Sequence, residues 1–301
     1  MPLDRLFVER DFFTEAEQLR SVYDEFFSKP AEEGRSPYIW RYHNIPGFTT
    51  VMLTPADEFF PPDLYARFAD RLLSYGRRKL GLNVLSEPYL SFYIPGMRLE
   101  LHNDVNNGSW GFVYSLTTSW GKSLAGGETL IVNDDYWLSG GSLHVKGGIA
   151  TDIPPIFNQL LVFDDRVMHA VRPVQNRSTD AREARVAIHG HLRDGGHFVE
   201  GALSLEQVDE TLERSFPLLN EQIADFADVD GLFSIRLTVA ASGRGEKVER
   251  LLDTVRRVAP DASDPSALTG LIESFVHRLE FPRAEGSSEV TIPFPISFDH
   301  E

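Results

Sequence analysis

Cysteine is absent from the 301-residue chain, which excludes disulfides, thiolate metal sites and a cysteine nucleophile together. Any metal must therefore be held by His, Asp or Glu. Positive charge is scarce as well: 29 Lys and Arg stand against 45 Asp and Glu, a formal net charge of −16. A surface of that sign repels phosphate backbones and anionic lipid headgroups, so neither nucleic acid nor a membrane is an expected partner. No apolar run is long enough to cross a bilayer, and the opening Met-Pro-Leu-Asp-Arg-Leu-Phe-Val-Glu-Arg lacks a secretory apolar segment. The expected location is the cytoplasm.

What the chain does have is the composition of a globular protein, 42% hydrophobic and 25% charged, and the length for one large domain or two ordinary ones. Thr14 to Phe27 predicts a helix, with Thr14 and Glu17 placed as a capping box and Leu19, Val22, Phe26 and Phe27 on one face. Residues 29–61, rich in Pro and Gly, read as loop. A second helix is expected from about Pro62 to Leu80, stopped by Gly81. Short β-branched or aromatic runs follow: Tyr89–Ile94, Trp110–Leu116, Glu128–Val132, Asn158–Phe163, Ala170–Val174 and Ala184–Leu192. Helices followed by many short strands predict an α+β fold, a jelly roll with N-terminal helices packed on it.

The segment Arg193-Asp-Gly-Gly-His197 reads as a boundary. Two domains are expected, 1–195 (a helical N-terminal segment over residues 1–85 and a strand-rich core over 86–195) and a small α/β domain, 196–301. The second shows a helix from Leu203 to Ala227 with Ser204 as cap, a strand Leu232–Ala240, helices Lys247–Val258 and Ser266–Leu279, and a strand Ser288–Phe294. That predicts a β-α-α-β unit.

The chemistry-bearing residues concentrate between His102 and Arg185. His102 and Asp104 lie two apart, which on an extended strand puts both side chains on one face. A neighbouring strand carrying His169 completes two imidazoles and a carboxylate, the facial triad that leaves three positions open on Fe(II). The bland reading of an isolated His-x-Asp is a surface pair. Arg185 opens an apolar strand and faces away from Val186 and Ile188, so its guanidinium projects inward and wants a carboxylate. That carboxylate belongs either to a ligand or to a protein Asp or Glu. Arg182 is the competing arginine, and the strand pattern favours Arg185.

The stretch from about Tyr89 to Asp194 resembles the catalytic core of the Fe(II)/2-oxoglutarate dioxygenases, in their prolyl 4-hydroxylase-like branch. The resemblance is carried by His102-Asn-Asp104, by Val113-Tyr-Ser-Leu-Thr-Thr-Ser-Trp120 with Gly126-Gly127-Glu128, and by His169-Ala-Val-Arg-Pro-Val with Arg185. It implies His102, Asp104 and His169 as metal ligands and catalytic centre, Arg185 as the partner of the cosubstrate's distal carboxylate, and Tyr93 as its support. His189, where the branch often has Thr or Ser, is read either as a cosubstrate contact or as a structural histidine; Ser115 and Thr117 are further contacts. Asp104 disfavours the halogenase variant, which lacks this carboxylate.

The implied cofactors are Fe(II) and 2-oxoglutarate, with ascorbate as reductant. The implied reaction uses O2 to hydroxylate an unactivated C–H bond, releasing succinate and CO2. The expected substrate is an amino acid, a small metabolite or a peptidyl residue, with Arg98, Asn106, Trp110, Trp137 and Arg172 as candidate pocket residues. The last hundred residues loosely resemble the C-terminal domain of TonB-like proteins, which suggests a partner-binding, homodimer-forming or packing role. The rival to an enzyme is a metal-binding jelly roll without turnover that acts through this unit as a sensor or interaction protein.

Overall fold

The computed structural model describes residues 5–29, 40–132, 148–259 and 261–297. They divide into two compact units, 1–72 with 85–193 and 73–84 with 194–301. The boundary near residue 194 lies beside the Gly-Gly segment, but 73–84 groups with the second unit rather than the first.

The first unit starts with strand β1 (Leu6–Glu9) and helix α1 (Ala16–Ser28). The expected Thr14 capping box is not formed: Glu15 occupies the N-cap without a side-chain cap bond, and its carboxylate instead takes Arg67 Nε and Nη2, each at 2.8 Å. Tertiary anchoring sets this helix start. Asn158 receives Phe13 N–H on Oδ1 at 2.9 Å and Phe12 N–H on its carbonyl at 3.1 Å, fixing the chain just before the first turn.

Residues 41–59 correct the loop expectation. They form the hairpin β2 (Arg41–Ile45) and β3 (Thr49–Pro55), then the short helix α2 (Ala56–Phe59). Helix α3 (Pro62–Tyr75) buries Leu64, Phe68 and Leu72 at four-residue spacing. The predicted continuation to Leu80 is a π-helical turn, Gly76–Leu80, closed by Gly81 in the left-handed conformation.

The remaining strands of this unit are β4 (Val84–Leu85), β5 (Tyr89–Tyr93), β6 (Arg98–His102), β7 (Trp110–Ser115), β8 (Leu124–Ala125), β9 (Thr129–Val132), β10 (Ala150–Ile153), β11 (Gln159–Asp164), β12 (His169–Val171), β13 (Gln175–Asn176) and β14 (Arg185–Arg193). Twelve strands build one curled sheet: ten follow the path β1-β11-β7-β14-β5-β3-β6-β12-β9-β10, every neighbouring pair on it antiparallel, and β2 and β4 pair off it with β3 and β14. This is the jelly-roll fold. Alternation along the strands sorts side chains between its faces. Tyr114 of β7 packs on Phe68 of α3, ring centroids 4.8 Å apart, while its neighbour Val113 joins Leu161, Phe163 and Ile131 on the inner face. On β14, Val186 and Ile188 are fully buried, and Arg185, His189 and His191 line the interior.

The second unit contains β15 (Phe198–Gly201), α4 (Leu205–Ile223), β16 (Val229–Val239), β17 (Gly245–Asp253), β18 (Arg256–Arg257), α5 (Pro265–His277) and β19 (Ser288–Ser297). Its sheet runs β15-β19-β16-β17, and its core joins both helices to the sheet through Val208, Leu212, Phe233, Ile235, Leu268 and Ile272. Ser204 caps α4 in a reciprocal box with Gln207. The helix expected over Lys247–Val258 is overturned, because residues 245–253 are strand β17. The turn at Gly243, φ 87°, sends the chain back antiparallel to β16, and ladder pairing overrides an apolar spacing that suits either period. Segment 73–84 belongs here because Leu80 and Leu82 are fully buried and a Cβ on Gly81 would stand 2.8 Å from Ser234 Cβ. Among the described residues no helix is long and apolar enough to cross a membrane.

Candidate active site

Strands β6 and β12 are antiparallel neighbours in which His102 lies opposite His169. Beyond His102 the chain turns, with Asp104 N–H donating to the Asp165 carbonyl at 2.8 Å and Asn107 N–H to the Asp104 carbonyl at 2.7 Å. His169, remote in sequence from the other two, joins them only through this sheet pairing. The potential ligand atoms of the three residues all lie within 4.8 Å of one another.

The hydrogen bonds fix what these groups offer. His102 Nδ1 is 2.8 Å from the Glu100 carbonyl and His169 Nδ1 is 3.0 Å from the Val167 carbonyl. A carbonyl only accepts, so each Nδ1 carries a proton, and in the neutral ring each Nε2 carries the lone pair. His169 Nε2 stands 3.4 Å from Asp104 Oδ2, and His102 Nε2 stands 3.6 Å from Oδ1. Two imidazole nitrogens thus converge on one carboxylate, whose charge is balanced either by a proton on an Nε2 or by a bound cation. Burial lowers the His102 pKa, and the neighbouring His169 adds to the effect. Burial opposes the Asp104 charge, yet the His169 hydrogen bond and the surrounding imidazoles outweigh it and hold the carboxyl at about 2. An imidazole–imidazole–carboxylate set of this kind suits ferrous iron.

A cavity of about 260 Å3 opens in front of these groups. Arg185 lies in its wall at 2% exposure. Its Nε donates to the Gly127 carbonyl at 2.6 Å and Nη2 to Thr129 Oγ1 at 3.3 Å. The guanidinium carbon sits 5.0 Å from the ring centre of Tyr93, its partner in the β14–β5 register. Among the described residues no carboxylate stands within salt-bridge distance of Arg185; burial lowers its pKa, against the more distant charge of Glu128. A buried guanidinium without a directly paired carboxylate is a site for an anionic ligand. Gly127 makes that placement feasible: its φ is 72°, and a Cβ there would come 2.9 Å from Arg185 Cδ.

Tyr93 is buried, which raises its pKa and keeps the phenol neutral. His189 lies in the wall two positions from Ala187 on the Arg185 row; burial and then the Arg185 charge push its pKa down to about 4. It is neutral at physiological pH.

Other candidates go elsewhere. Arg182 is exposed and paired with Asp180. Ser115 Oγ accepts from Thr117 N–H at 3.2 Å, and Thr117 Oγ1 bonds the backbone of Val186, so both serve the strand ends rather than the cavity. Trp110 is fully buried against Phe7. Arg98 pairs with Glu100 and Arg172 with Asp152 at the surface; Asn106 is exposed; Trp137 lies outside the described residues. The wall also holds groups that no local motif announces: His43, Phe48 and Val51 from the β2–β3 hairpin, Asn107, and His191, whose Nδ1 is 2.9 Å from Asp165 Oδ2. Asp165 is fully buried, and desolvation raises its pKa against the opposing pull of His191.

Residues 89–193 match the family described as the 2OG-Fe(II) oxygenase superfamily. No curated protein sequence matches the chain. Among solved structures, a prolyl-4-hydroxylase of Pseudomonas putida is similar at TM-score 0.46 and 20% identity, over 64% of this chain and 95% of that one. A prolyl hydroxylase of Trichoplax adhaerens, in complex with a hypoxia-inducible-factor oxygen degradation domain peptide, is similar at TM-score 0.44 and 16% identity, over 62% and 82%. HygX of Streptomyces hygroscopicus, with nickel and 2-oxoglutarate bound, is similar at TM-score 0.42 and 14% identity, over 62% and 83%. Residues 89–193 form a domain of the 2OG-Fe(II) oxygenase superfamily, and the chain that carries it is a 2-oxoglutarate-dependent dioxygenase.

Proposed function

We propose that the protein hydroxylates an unactivated C–H bond of a small metabolite, amino acid or peptidyl residue, using O2 and converting 2-oxoglutarate to succinate and CO2. His102 Nε2, His169 Nε2 and Asp104 hold the ferrous ion, and Arg185 takes the distal carboxylate of 2-oxoglutarate. The observation that carries this reading is the buried Arg185 without a carboxylate partner among the described residues, in the same cavity wall as the two Nε2 atoms and Asp104.

Bound iron supplies the dioxygen chemistry that the side chains cannot perform alone. The chain's own residues bind, orient and exclude. Glu100 and Val167 carbonyls fix the imidazole tautomers, so both histidines ligate through Nε2. Gly127 and Thr129 aim the Arg185 fork along the cavity, and Tyr93 packs on its face. Val51, Leu53, Leu99 and Val171 line the same cavity with apolar groups, which strengthens the Arg185–carboxylate attraction and keeps bulk water from it. His189, neutral, adds a hydrogen-bonding group without a competing charge.

The test is succinate release from purified protein with Fe(II), ascorbate, 2-oxoglutarate and O2. Succinate formed by the wild type and abolished in His169→Ala supports the reading. A protein that binds iron but forms no succinate, with or without a broad metabolite panel, would leave the interaction-protein alternative standing.

A further inference from the structure

The sheet of the second unit ends on β17, the last strand in the order β15-β19-β16-β17. Its inner side is laddered to β16, and among the described residues no strand pairs with its outer side. Cover from the chain itself stops at the start of the strand, where Phe281 N–H donates to the Gly243 carbonyl at 2.8 Å and Arg244 bridges Glu280. From Glu246 to Arg250 the outer edge is open to another strand. Side chains along this stretch, Glu-Lys-Val-Glu-Arg, take opposite faces in turn. Val248 packs on the core of the unit, and Arg250 lies over the Phe233 ring, 5.2 Å from its centre. Lys247 and Glu249 turn to the other face, where their side chains are 70% and 50% exposed.

Charges on an edge ordinarily discourage strand addition. Here their order makes the edge complementary to itself. Two copies related by a two-fold axis pair antiparallel, with one residue of the strand opposite its own counterpart. Centred on Val248, the pairing sets Lys247 opposite Glu249 of the second copy and Glu249 opposite its Lys247, with Glu246 and Arg250 opposed in the same way. Centring it on Lys247 or on Glu249 instead sets like charges directly against each other, which opposes pairing. One register is favoured and its neighbours are rejected. Arg250 already holds Asp253 at 2.9 Å and Glu273 at 2.7 Å, so the Lys247–Glu249 crossings decide the match. A chain of net charge −16 repels its own copies over most of its surface, and a locally balanced edge is where two of them can meet. We infer that β17 is a self-association edge, which joins two copies of the chain by antiparallel pairing of residues 246–250 about Val248.

The test is sedimentation velocity of the full chain at low ionic strength. Five residues a side make a small contact, so a Kd on the order of 10 µM is expected, with the mass of two chains reached at roughly ten times that concentration. Raising NaCl to about 0.5 M should shift the species toward monomer. Lys247→Glu and Glu249→Lys each set like charges across the axis and should sediment as monomers. Mixed in equal amounts, the two variants regain complementary pairs in a heterodimer, and the double variant Lys247→Glu/Glu249→Lys regains them in a homodimer; both should recover the two-chain species. Because both side chains are exposed, the thermal melts of all three variants should match wild type. A wild type that stays monomeric overturns the inference and leaves the edge to a strand of another protein. A dimer that survives either single reversal overturns it as well, as does a mixture of the single variants that fails to associate.

Discussion

Replacing Arg185 by methionine separates two uses of a buried guanidinium. If Arg185 were a structural residue neutralised by a protein carboxylate, its removal would strand that carboxylate and cost about 3–5 kcal/mol of stability. Here no carboxylate of the described residues pairs with it, and it is 2% exposed. The losses in the free protein are two hydrogen bonds donated by the charged guanidinium, to the Gly127 carbonyl and Thr129 Oγ1, together about 3 kcal/mol. Relief of an uncompensated buried charge offsets them. The melting temperature of Arg185→Met should therefore stay within about 5 °C of wild type. Binding of 2-oxoglutarate should fare very differently. A two-pronged charge-assisted pair is worth about 3–5 kcal/mol, so its loss weakens binding by about 10²-fold or more. Calorimetric titration of the Mn(II)-loaded protein with 2-oxoglutarate, beside a thermal melt, reads both quantities. A large fall in stability, or an affinity unchanged from wild type, would refute the assignment of Arg185 to an anionic ligand.

Two further outcomes follow from the structure. Asp164 is fully buried, and although burial opposes its charge, Arg166 and Arg5 hold its pKa at about 2. A depressed folded-state pKa gives stability that is present above the unfolded value near 4 and is lost as pH falls toward 2. The full loss is about 2 kcal/mol, of which roughly 1 kcal/mol falls between about pH 6 and about pH 3; chemical unfolding of wild type at those two pH values should show that share, and Asp164→Asn should lack it. Gly127→Ala places a Cβ against Arg185 Cδ at a left-handed φ of 72°; it should cost about 1–3 kcal/mol of stability and weaken 2-oxoglutarate binding, measured by the same melt and titration.

Which elements of the fold could be read in advance follows from burial. Strands β7, β11 and β14 appear as apolar runs because both of their faces are covered, and α3 shows because one stripe of it is. Strand β2, Arg-Tyr-His-Asn-Ile, is exposed along its whole length, so no periodicity announces it; it exists through its ladder with β3. Strand β6 carries Arg98, Glu100 and His102 in alternation and reads as polar until its neighbours are known. Residues 247–258 mislead because Val248, Leu251 and Leu252 fit a helix stripe as well as a strand. In the site, His102, Asp104, His169 and Arg185 are recognisable because motif and strand phase mark them. Asp165 and His191 are not, since they are distant from each other in sequence, and Asn107 is not, since nothing in a lone Asn marks the turn after β6 that brings it to Asp104.

Whether His102, Asp104 and His169 hold an iron to which 2-oxoglutarate binds can be read in one spectrum. Fe(II) and then 2-oxoglutarate are added to the purified protein under anaerobic conditions. A visible metal-to-ligand charge-transfer band is expected in the wild type at one iron per chain, and none in His169→Ala or Asp104→Ala. A wild type that binds no iron at this stoichiometry, or a band that survives both substitutions, would contradict the assignment.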